Sequence, residues 1–201
     1  MLQRAEEDFD GAFYVHLLRH PCGMIRSFEE ARLDQIFFRH EHGFARRELA
    51  ELIWRVSHEN VLRFLEGIPA GRRIQVRFEE LLREPEAVLS GLCARLGLDF
   101  DPAMVRPYED GSRRMTDGPH AASRMLGDVK FHTYQGIEES VAERWREHID
   151  EGSLGDGTAE LATVLGYEMQ QKEMPSAAAI PRRGASPDEP VPLSFAQERL
   201  W

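Results

Sequence analysis

An arginine that closes a short apolar run and a serine eight positions later, Arg19 and Ser27 in YVHLLRHPCGMIRSF (residues 14–28), are the pair best placed to do chemistry in this chain. A guanidinium can grip a phosphate through two parallel hydrogen bonds, and the start of a helix adds unpaired N–H donors and a favourable dipole. His20 precedes Pro21, so the chain is extended there, and Pro21 can open a helix that carries Ser27 about two turns in. Open α/β sheets bind ligands beyond the C-terminal ends of their strands, which is where Arg19 falls if Phe13–Leu18 is a strand. Taken singly, an arginine after a strand pairs with a surface carboxylate and a helical serine has no special role. The spacing around Pro21, together with the later VRFEEL segment (76–81), favours reading the two as a phosphate clamp.

Other candidates lie further along. Residues 110–135, DGSRRMTDGPHAASRMLGDVKFHTYQ, gather Arg113, Arg114, Arg124 and Lys130 in an otherwise acidic chain, either as an ordinary solvated loop or as cations that close over an anion. A loop of that length inside a compact domain is usually functional or mobile. His120 is an imidazole that could take a proton from an acceptor hydroxyl, or a plain surface histidine. Phe37, Phe38 and Phe44 read equally as the mouth of an acceptor site and as core. Neither a GxxxxGK[ST] loop nor a suitably placed acidic strand end is present, which counts against a P-loop kinase or nucleotidase.

The elements that must hold these groups are legible from periodicity. The apolar, aromatic run FYVHLL predicts a strand over 13–18, and Pro21 starts a helix through Met24, Ile25, Phe28 and Leu33. A longer helix is predicted from Arg47 to about Leu65, stopped by Pro69 and Gly71. A second strand follows at Ile74–Phe78, then a helix from Glu84 and Pro85 with Gly97 at its C-terminal cap. Helical spacing returns at Ile137, Val141, Trp145 and Ile149, and at Leu161, Val164 and Leu165. Trp54 and Trp145 sit on apolar stripes and read as core, and His16 as an interior residue. Alternating strands and helices predict an α/β fold whose mostly parallel sheet is flanked by helices on both sides.

With these residues in place, YVHLLRHPCGMIRSF resembles the 3′-phosphate-binding motif of sulfotransferases that use 3′-phosphoadenosine 5′-phosphosulfate. The resemblance implies that Arg19 and Ser27 hold the 3′-phosphate. VRFEELLREPEAVLSGLCARLGL (76–98) is similar to the same family's later strand and helix, which implies that Phe78 lies by the adenine; an aromatic residue in a strand is as often plain core. MLGDVKF (125–131) resembles the segment that returns over the phosphate and implies roles for Arg124 and Lys130, with His120 at the acceptor. The family's N-terminal strand and its loop of Lys, Ser, Gly and Thr around the 5′-phosphosulfate have no counterpart upstream of Phe13. The resemblance therefore covers the C-terminal part of such a domain, a partial P-loop-like fold over residues 1–171, expected to be inactive alone because the developing charge would lack its main stabilisation.

Residues 172–191 are dense in Pro, Ala, Ser and charge and predict an interdomain linker. PLSFAQERLW (192–201) then resembles the opening of condensation domains in nonribosomal peptide synthetases, which implies a multidomain parent of the peptide synthetase or polyketide synthase type. The expected acceptor is a hydroxyl on a carrier-tethered intermediate or a small molecule; the alternative is a non-catalytic docking or linker remnant. The net charge of −10 argues against nucleic acid or anionic membrane as partners. Cys22 and Cys93 lie in different elements, no metal is called for, and no secretory or membrane-spanning run is present, so a cytoplasmic location is expected.

Overall fold

Two parallel strands set the frame: β1 (Tyr14–Leu18) and β2 (Arg73–Arg77) pair with Tyr14 opposite Arg73 and Leu18 opposite Arg77. The computed structural model describes residues 2–34, 42–109 and 134–169, all within one compact unit. Parallel neighbours need a long crossover, and here, among the described residues, it carries the helices α2 (Pro21–Glu30) and α3 (Arg46–Glu66). A short α1 (Leu2–Asp8) precedes β1. After β2 come α4 (Phe78–Arg83), α5 (Pro85–Leu96) and, near the end of the described chain, α6 (Asp156–Val164). None of the described helices is long and apolar enough to cross a membrane.

Local chemistry explains the boundaries. Pro21 supplies the first turn of α2, and His20 caps it by accepting the Cys22 N–H on Nδ1 at 3.3 Å. At the start of α3 the Glu48 carboxylate reaches back to the Ala45 N–H at 2.9 Å. Gly97 ends α5 in the left-handed region at φ 70°, as its position predicts. Phe78 is a correction: the strand ends at Arg77, and Phe78 opens α4, where Glu79 and Glu80 complement the positive helix N-terminus.

The core lies on both sides of α3. On one side Cys22, Ile25 and Phe28 of α2 pack with Leu49, Ala50, Trp145 and Ile149; on the other, Leu18 and Trp54 pack with Ala162, Leu165 and Tyr167. Trp54 and Trp145 are core as expected, 2% and 3% exposed. Each such aromatic removes a large apolar area from water, on the order of 150–250 Å².

His16 is interior too: its imidazole exchanges one hydrogen bond with the His58 ring, Nε2 to Nδ1, at 2.8 Å. The opposite face of β1 departs from expectation. Val15 and Leu17 are exposed, so among the described residues helices cover β1 on one face only.

Residues 137–149 also differ from the helix that their apolar spacing predicts. They form two single 3₁₀ turns, Glu139–Ala142 and Arg144–Glu147, closed by bonds such as His148 N–H to the Trp145 carbonyl at 2.9 Å. Trp145 and Ile149 each anchor separately in the core, so spacing of three and four serves short turns as well as a helix. Gly166, at φ 83°, ends α6 where any Cβ would run into the Arg77 guanidinium, which donates to the Gly166 carbonyl at 2.7 Å.

Candidate functional site

The turn between β1 and α2 places Arg19, and it is held by contacts from several elements. The Arg19 carbonyl accepts the Trp54 Nε1–H at 2.9 Å, and the next peptide N–H, that of His20, donates to Glu79 Oε1 at 2.8 Å. The His20 ring stacks on Trp145 with centroids 4.1 Å apart and planes 6° from parallel. Burial and the nearby Arg146 charge pull the His20 pKa down to about 4, so the ring is neutral at pH 7. A turn fixed in this way presents its side chain at one angle.

That side chain lies along the first turn of α2, over Gly23. A Cβ at residue 23 would stand 3.2 Å from Arg19 Nε and 3.4 Å from Trp145 Cδ1, so glycine makes room for the arginine stem. The guanidinium rests on the Phe78 ring, 4.5 Å from its centroid, in a cation–π contact. Arg19, Ser27 and Phe78 line one cavity of about 250 Å³, with Tyr134 and Trp145 on its walls. Three of the residues singled out from sequence thus meet at one site. Arg124, Lys130 and His120 lie outside the described residues, as do Phe37 and Phe38, while Phe44 is exposed at 52%.

The charges are unevenly compensated. Arg26 pairs with Glu30 at 2.7 Å and Arg144 with Glu138 at 3.0 Å, both at the cavity edge. Arg19 makes no ion pair with any described residue. Its burial lowers its pKa, the Glu79 carboxylate opposes that shift, and an arginine keeps its proton in either case. The Ser27 hydroxyl makes no hydrogen bond to a described residue either. A partly desolvated cation and a hydroxyl without a described partner, facing the same cavity, are the complement of an anion with acceptor oxygens.

Gly23 and Trp145 were missed as site residues by reasoning from sequence. A glycine in the first turn of a helix was the available signal for Gly23, since it weakens the helix unless a close approach requires it. For Trp145 no such signal existed, because the same ring serves as core and as cavity wall.

The chain is 25% identical over 168 residues to the mouse (Mus musculus) protein "Carbohydrate sulfotransferase 4", a match covering 76% of this chain and 41% of that protein. Among solved structures, it superposes with a TM-score of 0.73 on "Sulfotransferase Domain from the Curacin Biosynthetic Pathway", at 34% identity over 84% of this chain and 58% of that one. The corresponding values for "Sulfotransferase Domain from the Synechococcus PCC 7002 Olefin Synthase" are a TM-score of 0.67 and 34% identity over 84% of this chain and 54% of that domain. In each case the chain spans less than two thirds of its relative. The profile of the sulfotransferase family matches residues 2–102, a stretch that holds β1, the turn with Arg19, α2 and Phe78, and the chain belongs to that family.

Proposed function

We propose that this chain binds the nucleotide of 3′-phosphoadenosine 5′-phosphosulfate, with Arg19 and Ser27 on the 3′-phosphate and Phe78 near the adenine. The observation that carries the reading is the half-buried Arg19 guanidinium, without an ion pair among the described residues, on the wall of the cavity that Ser27 and Phe78 share. A 3′-phosphate brings the negative charge and acceptor oxygens that these groups lack. Tyr108 and Tyr134, the described residues near the two ends of the basic segment, both line the cavity, and their rings are 5.6 Å apart. That arrangement supports Arg124 and Lys130 as further phosphate contacts and His120 as a residue at the acceptor.

The reaction of the whole protein is the transfer of a sulfuryl group. An acceptor hydroxyl oxygen forms a bond to sulfur, the bond from sulfur to the 5′-phosphate oxygen breaks, the hydroxyl proton leaves to a base or solvent, and 3′-phosphoadenosine 5′-phosphate departs. The two solved relatives, one from a biosynthetic pathway and one from a synthase, support a biosynthetic intermediate as acceptor. The condensation-like PLSFAQERLW after a linker-like 172–191 supports an intermediate tethered to a carrier protein.

Calorimetric titration of the full-length protein with 3′-phosphoadenosine 5′-phosphate and with adenosine 5′-phosphate tests the reading. The first nucleotide is expected to bind about tenfold or more tighter, since charge-assisted hydrogen bonds contribute about 1.5–3 kcal/mol. Equal affinities would sink the phosphate clamp and favour a docking module instead.

A further inference from the structure

Glu79 stands directly behind the clamp turn and has no assigned part in it. It is 8% exposed, and its two oxygens are used separately: Oε1 accepts the His20 N–H at 2.8 Å and Oε2 accepts the Tyr167 hydroxyl at 3.1 Å. Among the described residues it makes no ion pair. A buried carboxylate held by two neutral donors is a poor source of stability, because its desolvation offsets much of what the hydrogen bonds return. Its position in the chain supplies a reason to have it there. Phe78 is the surface on which the Arg19 guanidinium rests, and Glu79, the next residue, holds the peptide that follows Arg19. The first two residues of α4 thus set both the backbone from which the guanidinium hangs and the ring it lies on.

We propose that Glu79 is a positioning residue for the anion clamp, aiming Arg19 through the His20 N–H. The proposal rests on the phosphate reading of Arg19. Charge and position make opposite demands here. If only the negative charge mattered, removing it would make the cavity more positive and tighten anion binding. If the hydrogen bond to His20 matters, removing the charge while keeping the bond is harmless, and keeping the charge while withdrawing the oxygen is not.

Two substitutions separate these effects. Glu79→Gln keeps an acceptor for His20 and can pair its amide with the Tyr167 oxygen, but carries no charge. Glu79→Asp keeps the charge and draws it back by one methylene. The readout, in the full-length protein, is the ratio of the dissociation constant of adenosine 5′-phosphate to that of 3′-phosphoadenosine 5′-phosphate, which isolates the 3′-phosphate. Glu79→Gln is expected to keep the natural ratio to within about twofold and Glu79→Asp to lower it about tenfold, the scale of one misaligned charge-assisted bond.

An unchanged ratio in Glu79→Asp, or a raised one in Glu79→Gln with Glu79→Asp at the natural value, overturns the proposal. A loss of fold alone lowers the melting temperature without selectively changing this ratio in the folded fraction. Should Glu79→Asp fail to fold, Tyr167→Phe frees the second oxygen by removing one hydroxyl and is expected to lower the ratio about threefold; no change there overturns the proposal equally. A natural protein that does not distinguish the two nucleotides removes the phosphate reading and this one together. A natural protein that does, beside a Glu79→Asp variant that does so equally, removes this one alone.

Discussion

Replacement of Arg19 by alanine is expected to weaken binding of 3′-phosphoadenosine 5′-phosphate by about tenfold to a hundredfold, while adenosine 5′-phosphate is held much as before. The size follows from burial. A fully exposed arginine shares its phosphate contact with water and salt, whereas Arg19 is half-buried, makes no ion pair with a described residue and is seated against Phe78. Arg19→Lys should recover only part of the loss, because an ammonium keeps the charge but neither the two-pronged grip nor the flat stack on the ring. Isothermal titration of the three proteins with both nucleotides measures this. Equal losses for the two nucleotides in Arg19→Ala would mean that the guanidinium holds the turn rather than the 3′-phosphate.

Mild acid is expected to lower the stability of the protein before its carboxylates are protonated. Burial, with a smaller effect of Arg146, brings the His20 pKa down to about 4, and burial beside His16 does the same for His58. In the unfolded chain both rings titrate near 6.5. Above that pH neither state binds the proton and the full stability is present. As the pH falls from 6.5 towards 4 the unfolded chain takes up protons that the folded rings refuse, so stability is lost across that window. At about 1.4 kcal/mol per pH unit, His20 and His58 each cost about 2 kcal/mol by pH 5. Urea unfolding at pH 7.5 and pH 5.0 should show the difference, and His58→Phe, which keeps a ring against Trp54, should show a smaller one. A stability that is flat between those two pH values would sink the account.

The strand, turn and helix around Arg19 were legible because their determinants are local: an apolar run, His20 before Pro21, and a serine at a fixed distance. Gly97 was legible for the same reason, as a left-handed cap that needs only itself. Phe78 was placed one element too early, since a strand residue and the first residue of an acidic helix are written with the same aromatic letter. Glu79 could not have been found at all. In the FEEL run it is indistinguishable from the exposed Glu80, and only the return of Tyr167 and the arrival of the His20 N–H from distant parts of the chain bury one and leave the other in solvent. The apolar spacing over 137–149 predicted a helix because periodicity records which residues reach the core and not how the backbone travels between them. The basic segment with Arg124, Lys130 and His120 lies outside the described residues.

The seating of the two buried tryptophans carries an optical consequence. Of the three tryptophans in the chain, Trp54 bonds the Arg19 carbonyl and Trp145 forms a wall of the cavity while stacking on His20; Trp201 lies outside the described residues. Both described indoles therefore sit within one contact of the residues that would meet a ligand. The molecule carries its own fluorophores at the place where occupancy would change, so emission could follow nucleotide arrival in real time without a label.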